Sequence, residues 1–319
     1  MNDPGRLHAQ TAHHHEQDSA WRGTKFLVHL DAASCKDERA SDLGQRSVIR
    51  LGAVPYLNVQ PLIWPFLHPG SGLYSLSSSV EIQSLEPRPL AAALRAGQYS
   101  AAIVPVFEYL QNPDLYKIIS GVSIATRGAV KSVMLFSSVP IDSIKTVFLD
   151  KASLTSVHLV QVLLGERGLR PEYRDTSDQD CKWKAGLPLA EGESGLLIGD
   201  AALWESGRHK FTYDLGLLWN ELTGLAFVFA AWLVHRDCGD ADLGPLLRAA
   251  REEGIARIPE IAGHADSEFG VARETAQAYL TENIWYGLEE ADLAGLAKFG
   301  EFCVKYGFIG VNPPLVIHV

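Results

Sequence analysis

From residue 48 to the C-terminus, short apolar runs of strand length alternate with segments of helical periodicity, and this alternation constrains the fold more than any other feature. Strand-type runs are read at 48–54, 80–82, 101–104, 123–125, 132–137, 146–149, 194–198 and 225–234. Helical segments are read at 58–67, 87–96, 156–166 and 200–205, with another beginning at 105–110. Pro87 at the start and Gly97 just past the end are start and stop signals for one of them. Val157, Val160, Leu163 and Leu164 share a face of another. After Asp240 the pattern stays helical to Tyr306, with Gly254, Gly263, Gly270 and Gly287 as breaks. Strands alternating with helices argue for mainly parallel sheets with helices on both faces. The 319 residues leave room for two such units. With 47% hydrophobic residues, they can build a core without metal or disulfide staples.

A formal net charge of −10 disfavours a general nucleic-acid or anionic-membrane binder, although a local basic pocket for a small anion stays compatible with it. Cys35, Cys181, Cys238 and Cys303 lie far apart and form no C-x-x-C pair. That argues against a zinc or redox motif and fits a reducing compartment. Residues 1–20 lack the apolar core of a signal peptide, and no apolar run reaches about 18 residues. The expectation is a cytoplasmic protein that spans no membrane. Residues 1–47 are rich in His, Asp, Gln and Ser and weakly periodic, which reads as a flexible extension. His13, His14 and His15 lack a carboxylate or Cys at ligand spacing, so they read as solvated tail rather than a metal site. The more apolar stretch 21–30 is a candidate for docking on the body.

In parallel α/β sheets ligands bind beyond the carboxyl ends of the strands, so polar residues directly after apolar runs are the candidates. Tyr56 and Asn58 follow the first strand, Ser153, Thr155 and Ser156 follow the run at 146–149, and Gly199 and Asp200 follow the run at 194–198. Asn58 reads either as a helix N-cap or as a side chain facing a ligand anion beside a helix N-terminus. Ser153, Thr155 and Ser156 read either as capping, which needs one hydroxyl, or as a carboxylate cradle. Lys131 and Ser132 precede a strand and alternate in direction, so one of them faces the cleft, and Ser132 is favoured. Glu108, Asp200 and His158 are possible acid–base groups, although dipole, capping or packing roles explain each of them. No Gly-rich phosphate loop, nucleophile elbow or metal-ligand pair is present.

Taken in order, these segments resemble a known family. Leu51-Gly52-Ala53-Val54-Pro55-Tyr56-Leu57-Asn58 with Pro61-Leu62, then Ala101 through Val106 with Glu108-Tyr109-Leu110, resemble the opening blocks of the chorismate dehydratases of the futalosine route to menaquinone. So do Gly128 through Val133, Ser153 through Ser156, Leu197 through Leu203, Tyr213 through Gly216, and Thr223 through Ala230. The pattern departs at Arg127, where an acidic residue is common, and at Ala129 and Ala226, where Pro is common. Arg127 would add charge near the proposed site.

The resemblance implies a two-lobed α/β fold like the type II periplasmic binding proteins, with a ligand cleft between lobes. Residues 48–137 and 229–319 would form the first lobe with the C-terminal helices, and 138–228 the second. It implies dehydration of chorismate to 3-[(1-carboxyvinyl)oxy]benzoate with no metal or organic cofactor. Asn58 and Ser132 would act near the reacting carbons, Ser153, Thr155 and Ser156 on a carboxylate, and Tyr56, Gly199 and Asp200 elsewhere on the substrate. No base is evident, and the substrate's own enolpyruvyl carboxylate could serve. Two other readings share the fold. A solute receptor is disfavoured by the missing signal peptide and anchor Cys, and the related dihydroxynaphthoate-forming enzyme fits the Tyr56-Leu57-Asn58 block less well. Deleting residues 1–20 is expected to leave the melting temperature essentially unchanged. A drop of several degrees in a thermal scan would instead mean that this segment docks.

Overall fold

In the computed structural model each apolar run read as a strand lies in one, and the runs sort into two sheets. The structure describes residues 48–76, 79–149, 153–176, 183–236 and 243–319. The extension 1–47, with its three histidines and the stretch 21–30, lies outside the described residues, as do Cys35, Cys181 and Cys238. Among the described residues no helix is long and apolar enough to cross a membrane.

The first lobe opens with β1 (Ile49–Ala53), α1 (Gln60–Leu67), β2 (Val80–Ser84), α2 (Pro87–Arg95), β3 (Ala101–Pro105), α3 (Val106–Gln111) and β4 (Tyr116–Thr126). The chain then crosses into β5 (Val133–Ser137), β6 (Thr146–Leu149), α4 (Leu154–Glu166), β7 (Glu172–Asp175), β8 (Glu193–Ile198), α5 (Asp200–Trp204), β9 (Phe211–Asp214) and α6 (Leu215–Thr223). It returns through β10 (Phe227–His235), followed by α7 (Leu243–Ala256), α8 (Ile258–Phe269), α9 (Arg273–Ala278), α10 (Glu290–Lys305) and β11 (Ile317–His318). The six-stranded sheet has the order β11-β4-β10-β3-β1-β2, and the five-stranded sheet β7-β6-β8-β5-β9.

Three expectations are corrected. The sheets are mixed rather than mainly parallel. β10 runs antiparallel to both β3 and β4, and β5 antiparallel to both β8 and β9. Each of these strands enters its sheet directly from a crossing between lobes, without the covering helix that a parallel return requires. For the same reason β5, read with the first lobe, pairs in the second sheet, while β10 pairs in the first sheet from Phe227, next to the expected return at 229. Gly254 and Gly263, read as helix breaks, lie inside α7 and α8. A Cβ on Gly254 would sit 1.7 Å from the Pro61 carbonyl oxygen, so this glycine lets α7 pack directly on α1.

The core of the first lobe is built on the central strand β10, whose Ala231, Trp232 and Leu233 are fully buried. Trp219 of α6 joins the lobes. Its ring meets Phe227 and Phe299 edge-on, and its Nε1 donates to the Ala226 carbonyl at 3.0 Å. One carboxylate ties the first crossing to the helix that leads into the second. Asp214 caps α6 by accepting from Leu217 N at 3.1 Å, and accepts from Val130 N at 3.0 Å and Lys131 N at 2.7 Å in the other crossing. Lys131 has φ +63°, a left-handed conformation that L side chains rarely adopt, and these bonds hold it there. Asp214→Ala is expected to destabilise by about 3 kcal/mol, combining a lost cap with two charge-assisted bonds. It should read as a lower urea midpoint at unchanged slope.

Candidate functional site

The carboxyl ends of the strands in the two lobes face each other across the crossings. After β1 the chain passes Tyr56 into a 3-10 turn, Leu57–Val59, that leads into α1. In the second lobe β8 ends at Ile198 and α5 begins at Asp200. The antiparallel register Val133↔Ile198 brings Ser132 beside Gly199, whose N–H donates to the Ser132 carbonyl at 2.8 Å. Gly199 has φ +60°, and a Cβ there would meet the Tyr56 ring at 3.1 Å. Only glycine lets the two lobes touch in this way. The Asp200 carboxylate does not cap its own helix. It accepts from Leu57 N of the opposite lobe, at 3.2 and 3.4 Å to its two oxygens.

Tyr279 completes this junction. It opens a π-helical turn, Tyr279–Asn283, that follows α9, and it is 2% exposed. Its hydroxyl lies against the side chains of Ser132 and Asn58 and within the field of Asp200, yet makes no well-aligned hydrogen bond. Burial, reinforced by the Asp200 charge, pushes the phenol well above its ordinary pKa despite those neighbours. Asn58 Oδ1 is likewise buried without a partner, and so are both amide atoms of Gln60 and the Ser84 hydroxyl at the end of β2. A native structure leaves few buried polar atoms unpaired, and each one calls for an explanation. Asn58, Gln60, Ser84 and Tyr279 carry theirs on the strand ends of the first lobe and the turn after α9, while Trp232, Glu268, Tyr286, Asn312 and His318 carry others elsewhere. Asp200 is also perturbed. Burial raises its pKa to about 7, against the opposing pull of the Leu57 N–H.

Several sequence expectations resolve at this level. Asn58 is not a helix cap, because the N-cap positions fall at Tyr56 and Val59 and neither uses its side chain. The Tyr56 hydroxyl donates to Glu86 at 3.4 Å while its ring lies under Gly199. Ser153, Thr155 and Ser156 are all buried at the start of α4. Thr155 Oγ1 accepts from Phe107 N at 3.2 Å, tying the start of α4 to the start of α3 in the other lobe. Ser153 occupies the N-cap position of α4 without a side-chain cap bond.

Glu108 is fully buried but committed to Arg95, Asn112 and Tyr116, within 2.7–3.0 Å. His158 is a packed histidine. Its Nδ1 meets the Leu154 carbonyl at 2.7 Å, its ring stacks on Phe107, and burial lowers its pKa. Arg127 points to α10, where it pairs with Glu289 and Asp292 at 2.7 and 3.2 Å and lies 3.8 Å over the Trp285 ring. Sequence reasoning missed Tyr279, because a tyrosine in a helical stretch reads as core. It also gave Asp214 no role, although its place between an apolar run and a helix is an N-cap signature.

A two-lobed α/β protein with unpaired polar groups buried between its lobes has the architecture of the periplasmic solute-binding proteins. An Archaeoglobus fulgidus protein of known structure is similar at TM-score 0.62, with 18% identity over 82% of this chain and 98% of its own. The periplasmic aliphatic sulphonate binding protein SsuA of Escherichia coli is similar at TM-score 0.57, with 15% identity over 84% of this chain and 90% of its own. These likenesses establish the fold. The sequence narrows it: the family model for menaquinone biosynthesis matches residues 49–305, and the chain belongs to that family. The chorismate dehydratase of Thermus thermophilus is 33% identical over 234 residues, which is 67% of this chain and 83% of that protein.

Removing an unpaired hydroxyl relieves a desolvation penalty rather than breaking a bond. Tyr279→Phe is therefore expected to leave stability unchanged or raise it by up to about 1 kcal/mol. A loss of 2 kcal/mol or more in denaturant unfolding would mean the hydroxyl is bonded and structural.

Proposed function

We propose that this chain is a chorismate dehydratase, a hydro-lyase that converts chorismate to 3-[(1-carboxyvinyl)oxy]benzoate and water. The observation that carries the reading is the convergence of Asn58, Ser132, Tyr279 and Asp200 between the lobes, with unpaired polar atoms among them. It occurs in a menaquinone-biosynthesis chain that is one-third identical to a chorismate dehydratase.

The chemistry suits such a site. The hydrogen on ring carbon C3 of chorismate is allylic and conjugated through the ring alkene to the ring carboxylate. Removing it gives a delocalised anion, and loss of the C4 hydroxyl then makes the ring aromatic. Aromatisation drives the reaction forward, so the protein has to hold two carboxylates, stabilise charge as it spreads, and assist the departing oxygen. Amide and hydroxyl donors fixed in a buried site do this well, because they need no reorganisation as charge develops. In this reading Asn58 and Ser132 contact the reacting part of the ring, and Ser153, Thr155 and Ser156 at the start of α4 receive a carboxylate. Tyr56 and Gly199 shape the wall where the lobes meet. The enolpyruvyl carboxylate of the substrate, held close to C3, serves as the base.

The test is to incubate the purified protein with chorismate and follow the aromatic product by absorbance and mass. Its appearance at a catalytic rate is expected, and stoichiometric binding without product would indicate a solute receptor of the same fold. Asn58→Ala is expected to lower kcat by about 100-fold or more, as for a lost charge-stabilising donor, while the protein stays folded. Ser132→Ala should lose less, since water can replace a hydroxyl. Unchanged kcat in Asn58→Ala would remove that residue from the reacting centre.

A further inference from the structure

We propose that Asp200 is a catalytic residue, the general acid that delivers a proton to the departing C4 hydroxyl; this rests on the chorismate dehydratase reading. Hydroxide is a poor leaving group in a buried site, and a positioned acid of suitable strength lowers the barrier to its departure. The groups at the junction differ sharply in their fitness for this. An amide such as Asn58 and an aliphatic hydroxyl such as Ser132 do not release a proton near neutrality. The Tyr279 phenol is pushed further from doing so by its burial. Glu108 and His158, the other acid–base candidates in the sequence, are held in contacts away from this junction. Of the two carboxyls near Tyr279, Asp214 is committed to three backbone N–H groups, which leaves Asp200.

Its surroundings support the role. The side chain is 7% exposed, and among the described residues it forms no ion pair. Its oxygens share one donor, Leu57 N, which leaves the carboxyl free to carry a proton and direct it elsewhere. The Leu57 backbone of the first lobe donates to it, and its charge reaches the Tyr279 hydroxyl in the turn after α9. Tyr279 also feels the charge of Asp214. Among the described residues no cation pairs with it, and burial raises its pKa to about 7. The Asn58 side chain and the Tyr279 hydroxyl lie beside one another at the same junction.

The step balances without any co-reactant. The C3–H bond breaks, its proton passes to the enolpyruvyl carboxylate and its electron pair enters the ring. The C4–O bond breaks as the O–H proton of Asp200 moves to the leaving oxygen, forming water and completing the aromatic ring. The proton on the enolpyruvyl carboxylate is then released, and Asp200 is reprotonated from solvent. Nothing is oxidised or reduced overall.

The active form pairs the protonated acid with the ionised carboxylate of the substrate, so wild-type kcat should be full at mildly acidic pH and fall as pH rises through about 7. Asp200→Asn keeps an acceptor for Leu57 N but cannot donate an acidic proton. It is expected to lower kcat by about 100-fold or more, with KM little changed, and to lose the alkaline limb of the pH profile. A merely structural role would not remove that limb. A wild-type kcat that stays flat between about pH 6 and 8.5, or an Asp200→Asn protein with wild-type kcat, would overturn the assignment while leaving the dehydratase reading intact. If the variant fails to fold, the wild-type profile alone decides. If the wild type makes no aromatic product at all, the dehydratase reading fails and this inference falls with it.

Discussion

The fold is pinned by the carboxylate of Asp214. It sits where β9 gives way to α6 and takes N–H groups from Val130 and Lys131 in the first connection between the lobes and from Leu217 in the first turn of α6, the helix that leads into the second. Two strands of backbone that must run side by side between sheets have few ladder partners of their own, and a buried carboxylate is a strong common acceptor for them. Everything at the site descends from this arrangement. Ser132 follows directly from the bound segment, its backbone fixes Gly199, and Gly199 carries Asp200 toward the first lobe.

Catalysis on such a scaffold needs little specialised chemistry. A reaction driven by aromatisation asks for orientation and charge stabilisation more than for strong nucleophiles or metal ions. The strand ends of two sheets supply both, because amides, hydroxyls and helix starts accumulate there as a consequence of the α/β layout. Strong titratable pairs elsewhere in the molecule are structural. Arg95 and Glu108 tie α2 to α3, and Arg127 binds the start of α10 against Trp285. The departure from the family pattern at Arg127 therefore alters the support behind the first crossing.

The apolar runs made β3, β6 and β10 legible, because most of their residues are buried and so read as continuous apolar segments, while β1 and β8 show theirs over Leu51–Ala53 and Gly195–Ile198. What stayed illegible is non-local. Strand direction leaves no mark in local periodicity, so the antiparallel insertions of β5 and β10 were not seen. β4 was read as 123–125 although it runs from Tyr116 to Thr126, because Ser120 and Gly121 interrupt its apolar character. β7, with the sequence EYRD, is a polar edge strand with no hydrophobic run to find. At the site, Asn58 and Asp200 stood out because they follow strands. Tyr279 lies 147 positions past Ser132 in the chain, and only the packing of the turn after α9 onto the crossings brings them together.

The unpaired atoms between the lobes also bear on which molecules the protein will accept. A buried polar atom left unsatisfied carries a penalty of about 1–3 kcal/mol, which water would relieve if the lobes parted. Asn58 Oδ1 and the Tyr279 hydroxyl are two such atoms, lying close together where the lobes meet, so each weighs against that arrangement until a polar partner reaches it. A guest that bonds to both removes the handicap, so binding and closure draw on a single free energy. A near-analogue that satisfies only one keeps part of the handicap, and is discriminated against by its failure to hold the lobes shut rather than by any clash.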